Sequence, residues 1–111
     1  MITLNEELRN LNDEKQTAMD GSSATISDAA GFIHVKFQLG PVKEKGVNGT
    51  SIENVIDLLI RRLNGFQAGP FSCPSNALAI AKLHEAIEAL ESRTKKRVEQ
   101  GVEVTNQSHK E

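Results

Sequence analysis

The clearest pattern in this chain is a pair of apolar stripes at helical spacing in its second half. Isoleucine and leucine recur there at alternating steps of four and three residues. Such a stripe is typical of a helix that packs along a partner helix. We therefore predict helices over residues 51–66 and 74–100. The stripes consist of Ile52, Ile56, Leu59, Leu63 and Phe66 in the first helix and Ile80, Leu83, Ile87 and Leu90 in the second.

Residues at the ends of these helices support the assignment. Thr50 and Glu53 fit a capping box at the start of the first helix. Pro74 suits the first position of the second helix, and Gly101 suits its end. The short loop makes the helices antiparallel neighbours, about 24 Å and about 40 Å long. Roughly the last three turns of the longer helix should therefore extend past the shorter one. The N-terminal helix, the strands or another subunit would cover that overhang.

The first half of the chain predicts smaller elements. Residues 3–19 form a weak amphipathic helix, with Thr3 and Glu6 placed as a capping box. We predict two short strands, over residues 24–27 and 32–39. Apolar and polar side chains alternate clearly in the second of them. A polar connection then leads to the first long helix.

These elements predict an α+β fold in one domain over residues 1–103. A short N-terminal helix within residues 1–20 precedes an antiparallel β-hairpin over 24–39 and a long antiparallel two-helix hairpin over 51–100. Residues 104–111 are expected to be a disordered tail. A domain of this size has a modest core, so oligomerisation would add to its stability.

Composition argues against several classes of function. The net charge of −2 does not favour binding of a polymeric nucleic acid, so any anion site must come from a local cluster of basic residues. No apolar run is long enough to span a membrane, and the charged N-terminal segment does not resemble a signal peptide. The single Cys73 cannot form an internal disulfide and is compatible with a reducing cytosol.

No group of residues resembles a catalytic or metal site. His34, His84 and His109 are far apart in sequence, and no histidine or cysteine pair has metal-ligand spacing. Cys73 has no histidine near it in sequence, and no glycine-rich phosphate-loop signature is present. We therefore expect no catalytic residue, no metal and no cofactor.

The loop between the two long helices carries the first candidate site. Phe66 ends one helix and Asn76 lies in the first turn of the next, so the hairpin brings them together near Phe71. The free amides at a helix start favour phosphate, while a phenylalanine ring can stack on a purine and an asparagine amide can bind a base edge. Alternatively, Phe66 and Phe71 are core residues and Asn76 is a residue of the helix start. Spacing alone favours this plainer interpretation and leaves the first open.

Basic residues at the far end of the second helix form the second candidate site. Arg93 and Arg97 lie one turn apart and could clamp phosphate through their guanidinium groups. Arg61 and Arg62 add positive charge on the first helix. Cations near a helix C-terminus also stabilise the helix dipole and pair with glutamates, which is the favoured interpretation from spacing alone. About 25 Å of helix separates Asn76 from Arg93, so the two sites would be independent.

Three segments of the chain resemble a known phage family. They are Phe-Gln-Leu-Gly-Pro-Val-Lys-Glu-Lys-Gly-Val-Asn-Gly at 37–49, Gly-Phe-Gln-Ala-Gly-Pro-Phe-Ser-Cys-Pro-Ser-Asn-Ala-Leu-Ala at 65–79 and Arg-Thr-Lys-Lys-Arg-Val-Glu-Gln-Gly-Val-Glu at 93–103. These segments look like the Thoeris anti-defence sponges of the first-described type, which share a helical hairpin with the phage anti-CBASS sponge. The resemblance covers about residues 32–103. The tail departs from it, with Gly-Val-Glu-Val-Thr where the family often has Gly-Val-Glu-Gly-Thr.

The resemblance implies a non-enzymatic protein that sequesters a signalling nucleotide in the cytoplasm of an infected bacterial host. Family members bind glyco-cyclic ADP-ribose, the messenger made by bacterial TIR-domain proteins, and so keep the Thoeris effector inactive. Phe66 and Asn76 match residues of that pocket, and Phe71 lies beside them. Arg93 and Arg97 match a separate pocket that in some members takes cyclic oligonucleotides.

The resemblance also implies partners and an assembly. Cyclic triadenylate or cyclic dinucleotides would be the ligands of the second pocket, which would extend inhibition to CBASS. The family forms dimers that can assemble into hexamers as trimers of dimers. A neighbouring subunit would then cover the overhang of the longer helix.

Two other functions remain open on the sequence. A helical hairpin can serve as a protein–protein interaction module of a phage, by binding the helix of another protein. A hydrolase of the same messenger is the second alternative, although the sequence offers no evident base or metal for it.

Overall fold

Two long helices dominate the structure, a computed structural model in which residues 2–14, 19 and 21–99 are described. The elements are α1 (Leu4–Glu14), β1 (Thr25–Ser27), β2 (His34–Lys36), α2 (Val42–Lys45), α3 (Ile52–Gln67) and α4 (Pro74–Glu99). The α+β class and the order of N-terminal helix, antiparallel strands and helical hairpin are confirmed. The predicted tail at 104–111 lies outside the described residues.

Helix α1 begins where the sequence predicted. The hydroxyl of Thr3 accepts a hydrogen bond from the backbone N–H of Glu6, and the Glu6 carboxylate accepts one from the backbone N–H of Thr3, both at 3.1 Å. This reciprocal pair is the expected capping box. Asn12 ties the helix to the β-hairpin, because its Oδ1 accepts the backbone N–H of Ala30 at 3.0 Å. Most of the predicted continuation toward residue 19 lies outside the described residues.

Asp28 organises the turn between the two strands. Its carboxylate Oδ1 accepts the backbone N–H groups of Gly31, Phe32 and Ile33 at 3.0, 3.0 and 2.9 Å. The residue is only 9% exposed. Three amide donors therefore satisfy a carboxylate that would be unfavourable to bury alone. Gly31 has φ +87°, a left-handed conformation that glycine adopts without strain.

The second strand is shorter than the alternation of residues 32–39 predicted. Strands β1 and β2 pair antiparallel with Ile26 opposite Val35, and regular pairing covers three residues in each strand. Phe32 and Ile33, the first residues of the predicted strand, belong instead to the turn held by Asp28. After β2, the chain pairs with the segment that enters α3. Phe37 therefore forms a parallel bridge with Thr50.

The connection between β2 and α3 is more structured than the polar linker expected from the sequence. The side-chain amide of Gln38 donates to the carbonyls of Gly40 and Gly46 at 3.1 and 2.8 Å. The side-chain amide of Asn48 bonds both backbone groups of Leu39 at 2.8 Å. Gln38 Oε1 also accepts the backbone N–H of Asn48 at 2.9 Å. These bonds close the connection around α2, a four-residue helix that the sequence did not predict.

The helical hairpin forms as predicted, but its first cap is different. Ser51 is the N-cap of α3, and its hydroxyl accepts the backbone N–H of Asn54 at 3.0 Å. The predicted capping box of Thr50 with Glu53 is therefore wrong. Thr50 lies one residue before the cap, where its backbone pairs with the chain after β2 and its hydroxyl accepts from the Asn54 side chain.

The interior between α3 and α4 is thin. Ile60, which is 3% exposed, is the one buried residue of α3 and α4. The predicted stripe on α4 is half-buried throughout, whereas the stripe on α3 is divided. Two of its members, Ile52 and Leu59, are each 47% exposed. The buried residue is instead Ile60, which was not part of the predicted stripe. The apolar surface of α3 is therefore wider than α4 alone covers.

None of the helices in the described part of the chain could cross a membrane, since none is both long and apolar enough.

Gly49 lies where the connection passes closest to the chain leaving β2. A Cβ atom at this position would lie 2.4 Å from the carbonyl carbon of Phe37 and 2.6 Å from the backbone nitrogen of Gln38. Both neighbours are backbone atoms, so neither can turn aside as a flexible side chain would. The lack of space, rather than an unusual φ, requires glycine here.

Gly49→Ala should lower the free energy of unfolding by about 1–3 kcal/mol, a loss typical of forcing an extra methyl group into a packed site. Gly65→Ala is the matched control. No atom lies within 4 Å of a Cβ at Gly65, and in a helix interior alanine is favoured over glycine by about 1 kcal/mol. Urea unfolding of both variants provides the measurement. A Gly49→Ala protein as stable as the wild type would contradict the close approach.

Candidate functional site

The loop between α3 and α4 brings the first set of predicted residues together. The rings of Phe66 and Phe71 meet edge to face, with centroids 6.3 Å apart and planes at 87°. The Asn76 side-chain amide donates to the carbonyl of Phe71 at 3.4 Å. The three residues are thus neighbours, as the hairpin required, and their role in binding stays a prediction.

The exposure of these residues separates them from the hydrophobic interior. Phe71 is 72% exposed, so within one chain it is not a core residue. Phe66 and Asn76 are half-buried. The loop therefore presents an exposed ring, part of a second ring and an amide on one surface.

Gln67 fixes the shape of this loop, a function that sequence reasoning missed. Its Oε1 accepts the backbone N–H of Cys73 at 2.9 Å, and its Nε2 donates to the Cys73 carbonyl at 3.2 Å. One side-chain amide thus pairs with both backbone groups of a residue across the loop. The available signal was a glutamine at the last position of a helix that faces a short loop.

Two adjacent arginines near the end of α3 have different partners. Arg61 Nε donates to Asp57 Oδ2 at 2.8 Å, and this hydrogen bond and the negative charge of Asp57 raise the pKa of Arg61. The guanidinium carbon of Arg62 instead lies 4.5 Å from the centroid of the Phe66 ring, a cation–π contact. The sequence marked both arginines only as added positive charge. The four-residue spacing from Arg62 to Phe66 was the signal that distinguishes them.

Arg93 and Arg97 line a cleft of about 1060 Å³ at the other end of the hairpin. The end of α4, the start of α3, the segment before β1 and the connection after β2 form its walls. The predicted overhang of α4 is therefore faced by parts of the same chain, with the cleft between them. None of the residues that line the cleft belongs to the loop between α3 and α4.

The two walls of this cleft differ in chemistry. Arg93, Thr94 and Arg97 line the α4 side. The connection after β2 contributes apolar side chains that are 56–81% exposed, namely Leu39, Val42 and Val47. An anion could contact the arginines while a flat apolar group lies against these apolar side chains.

Arg93 has an ion-pair partner inside the cleft. Its Nη2 lies 3.8 Å from Oε1 of Glu53, and the two side chains are 28% and 29% exposed. Arg93 Nε is buried without a hydrogen-bond partner. Since a guanidinium carries five N–H donors, the long contact with Glu53 leaves donors of Arg93 unused. Arg97 is half-buried and lies on the same cleft.

Of the other titratable residues singled out from the sequence, Cys73 belongs to the loop between α3 and α4, and His109 lies outside the described residues. His34 Nδ1 lies 2.7 Å from the hydroxyl of Ser27 in the β-hairpin, and Cys73 is exposed as a free thiol. In residues 2–14, 19 and 21–99, no three histidine, cysteine, aspartate or glutamate side chains are grouped to hold a metal ion.

The helical hairpin and the strand before it match a known family model. That model is described as the Acb2/Tad1 hairpin domain, and it matches residues 29–95, more than half of the chain. This chain belongs to the Acb2/Tad1 hairpin-domain family. The family expected from the three sequence segments is thereby confirmed. Its hairpin domain includes the loop residues and Arg93, while Arg97 lies just beyond the matched range.

A phage protein is also similar to this Acb2/Tad1 hairpin-domain chain. It is Thoeris anti-defense 1 of Bacillus phage SBSphiJ7, which is 45% identical over 89 residues. The alignment covers 79% of this chain and 63% of that protein. The chain thus spans slightly less than two thirds of the length of this relative.

Proposed function

We propose that this protein is a non-enzymatic sponge that sequesters a nucleotide-like immune signal and so inhibits an anti-phage defence. The loop cluster of Phe66, Phe71 and Asn76, in a chain of the Acb2/Tad1 hairpin-domain family, is the observation that carries the proposal. The relative at 45% identity is named for anti-defence against Thoeris. The signal implied by the family resemblance is glyco-cyclic ADP-ribose, captured in the cytoplasm of the infected host.

The chemistry of the loop suits such a ligand. An adenine base can stack on a phenylalanine ring, and the edge-to-face contact with Phe71 restrains the Phe66 ring. The hydrogen bond from Asn76 to the Phe71 carbonyl is long at 3.4 Å, so a polar edge of the ligand can replace it. The start of α4 adds backbone amides and the positive end of the helix dipole, which favour a pyrophosphate.

Capture without turnover requires high affinity. Depleting a scarce messenger needs a dissociation constant on the order of nanomolar, or about 12 kcal/mol of binding free energy. The loop of a single chain is open, since Phe71 is largely exposed. A second subunit that closes over the loop would bury more of the ligand and exclude water.

We propose cyclic oligonucleotides, such as cyclic triadenylate or cyclic dinucleotides, as the ligands of the second site. The cleft is large, and both arginines and exposed apolar side chains line it. Guanidinium groups bind phosphate through bidentate hydrogen bonds, and the Nη2 of Arg93 has only a long contact, at 3.8 Å, with Glu53. Binding there would extend inhibition to CBASS.

The exposed face of α3 favours a homo-oligomer. Ile52 and Leu59 lie seven residues apart, and so on one face, and each is 47% exposed on a helix whose one buried residue is Ile60. Full burial of such a side chain contributes about 1.5–3 kcal/mol. We propose that a second copy covers this face, in a dimer that can assemble into a hexamer.

Heat release distinguishes sequestration from its rivals. The protein should deplete glyco-cyclic ADP-ribose from solution and return it intact after thermal denaturation, because capture involves no bond cleavage. Chromatography with mass detection identifies the returned species. An altered product would indicate a hydrolase. Absence of both depletion and a thermal shift would contradict the proposal and favour a protein–protein interaction module.

Substitutions at the two sites should affect different ligands. Phe66→Ala or Asn76→Ala should abolish capture of glyco-cyclic ADP-ribose and leave cyclic triadenylate binding unchanged. Arg93→Ala combined with Arg97→Ala should do the reverse, because the arginines lie at the far end of α4, away from the loop that holds Phe66 and Asn76. Titration calorimetry with both ligands tests this, and each variant serves as the folding control for the other. If both sets of variants weaken both ligands, the sites are not independent.

Leu59→Glu should convert the oligomer to a smaller species, because it places a charge in the contact proposed for α3. Leu59→Met keeps the apolar volume and is the matched control. Sedimentation velocity over a range of concentrations measures the change. Identical sedimentation of the Glu variant and the wild type would show that this face is not the contact.

A further inference from the structure

We propose that Arg62 is a binding residue of the loop site and contacts a phosphate of the captured ligand. This inference rests on the proposed function and adds a cation to a site built from two rings and an asparagine. Two observations carry it. One is the contact of Arg62 with the Phe66 ring, and the other is the different partner of its neighbour, Arg61.

The geometry of the contact leaves the hydrogen-bond donors of Arg62 available. The guanidinium carbon lies 4.5 Å from the centroid of the Phe66 ring. A guanidinium over an aromatic ring offers its face to the ring, while its five N–H donors point outward in its own plane. Those donors form the planar fork that matches two phosphate oxygens. The ring thus restrains the group without using the donors that an anion needs.

Charge near the loop points to the same residue. A pyrophosphate is a strong anion, and it needs a cation that is not already neutralised nearby. Arg61 is paired with Asp57 at 2.8 Å, and Lys82 on α4 is paired with Glu85 at 3.6 Å. Within the described part of the chain, Arg62 contacts the ring and no carboxylate. It is therefore the positive charge beside Phe66 that remains for a ligand.

The position of Arg62 also sets which surface a base can use. Arg62 lies over one face of Phe66, and Phe71 contacts this ring edge to face. A base would stack on the opposite face of Phe66, at about 3.5–4 Å. Roughly 8 Å would then separate the base plane from the guanidinium, a distance that a ribose and a phosphate can bridge around the edge of the ring.

The test compares Arg62→Gln and Arg62→Lys with the matched control Arg61→Gln. Calorimetric titration with glyco-cyclic ADP-ribose is performed at low and high NaCl concentration. Arg62→Gln should weaken binding at least about tenfold and reduce its dependence on salt, because a screened charge–charge contact is lost. Arg62→Lys keeps the charge but not the planar fork, so it should retain the salt dependence with intermediate affinity. Arg61→Gln should stay within about twofold of the wild type, since that guanidinium is paired with Asp57.

Each other outcome overturns the inference in a distinguishable way. Unchanged affinity of Arg62→Gln, with capture by the wild type intact, overturns the role of Arg62 and leaves the sponge in place. Weaker binding with unchanged salt dependence shows that Arg62 acts only through the Phe66 ring, which excludes a phosphate contact. A wild-type protein that captures no messenger overturns both proposals. A urea unfolding midpoint matching the wild type verifies that each variant is folded.

Discussion

The unequal length of the two paired helices determines the architecture of this protein. Helix α3 has 16 residues and α4 has 26, so pairing them from a common loop leaves the far end of α4 without a helical partner. The connection after β2 faces that end instead, and a cleft remains between them. The mismatch in length thus separates two candidate sites, a loop where both helices end and a cleft where only one continues.

Both sites depend on how charges and amides are already paired within the chain. Gln67 uses its side-chain amide to hold the loop, and Gln38 with Asn48 holds the wall of the cleft in the same manner. Arginines with a close carboxylate partner, such as Arg61, have their donors and charge partly satisfied. Arg62 and Arg93 are less satisfied, by a ring in one case and by a long contact in the other. The partner of each guanidinium therefore distinguishes arginines that look equivalent in the sequence.

The sequence predicted the elements whose signals are local and missed those whose bonds join distant residues. The apolar stripes of α3 and α4 repeat every three or four residues, and the Thr3 cap closes within three. The bounds of both helices and the position of this cap were predicted to within about a residue. Thr50 and Ser51 both suit a cap, and only the pairing after β2 selects Ser51. Helix α2 depends on bonds between residues ten positions apart. At the candidate site the neighbours were predictable, whereas the partner of each arginine was not.

The thin interior around Ile60 bears on how such a protein evolves. The residues proposed to recognise ligands lie at the two ends of the hairpin, away from this central side chain. Arg62 and Phe71 are exposed there, and exposed positions outside a core tolerate substitution with little loss of folding free energy. Ligand preference at each end can thus drift under selection without unfolding the scaffold or disturbing the other end. Under the proposed function, a change of ligand would then need only a few substitutions at one end of the fold.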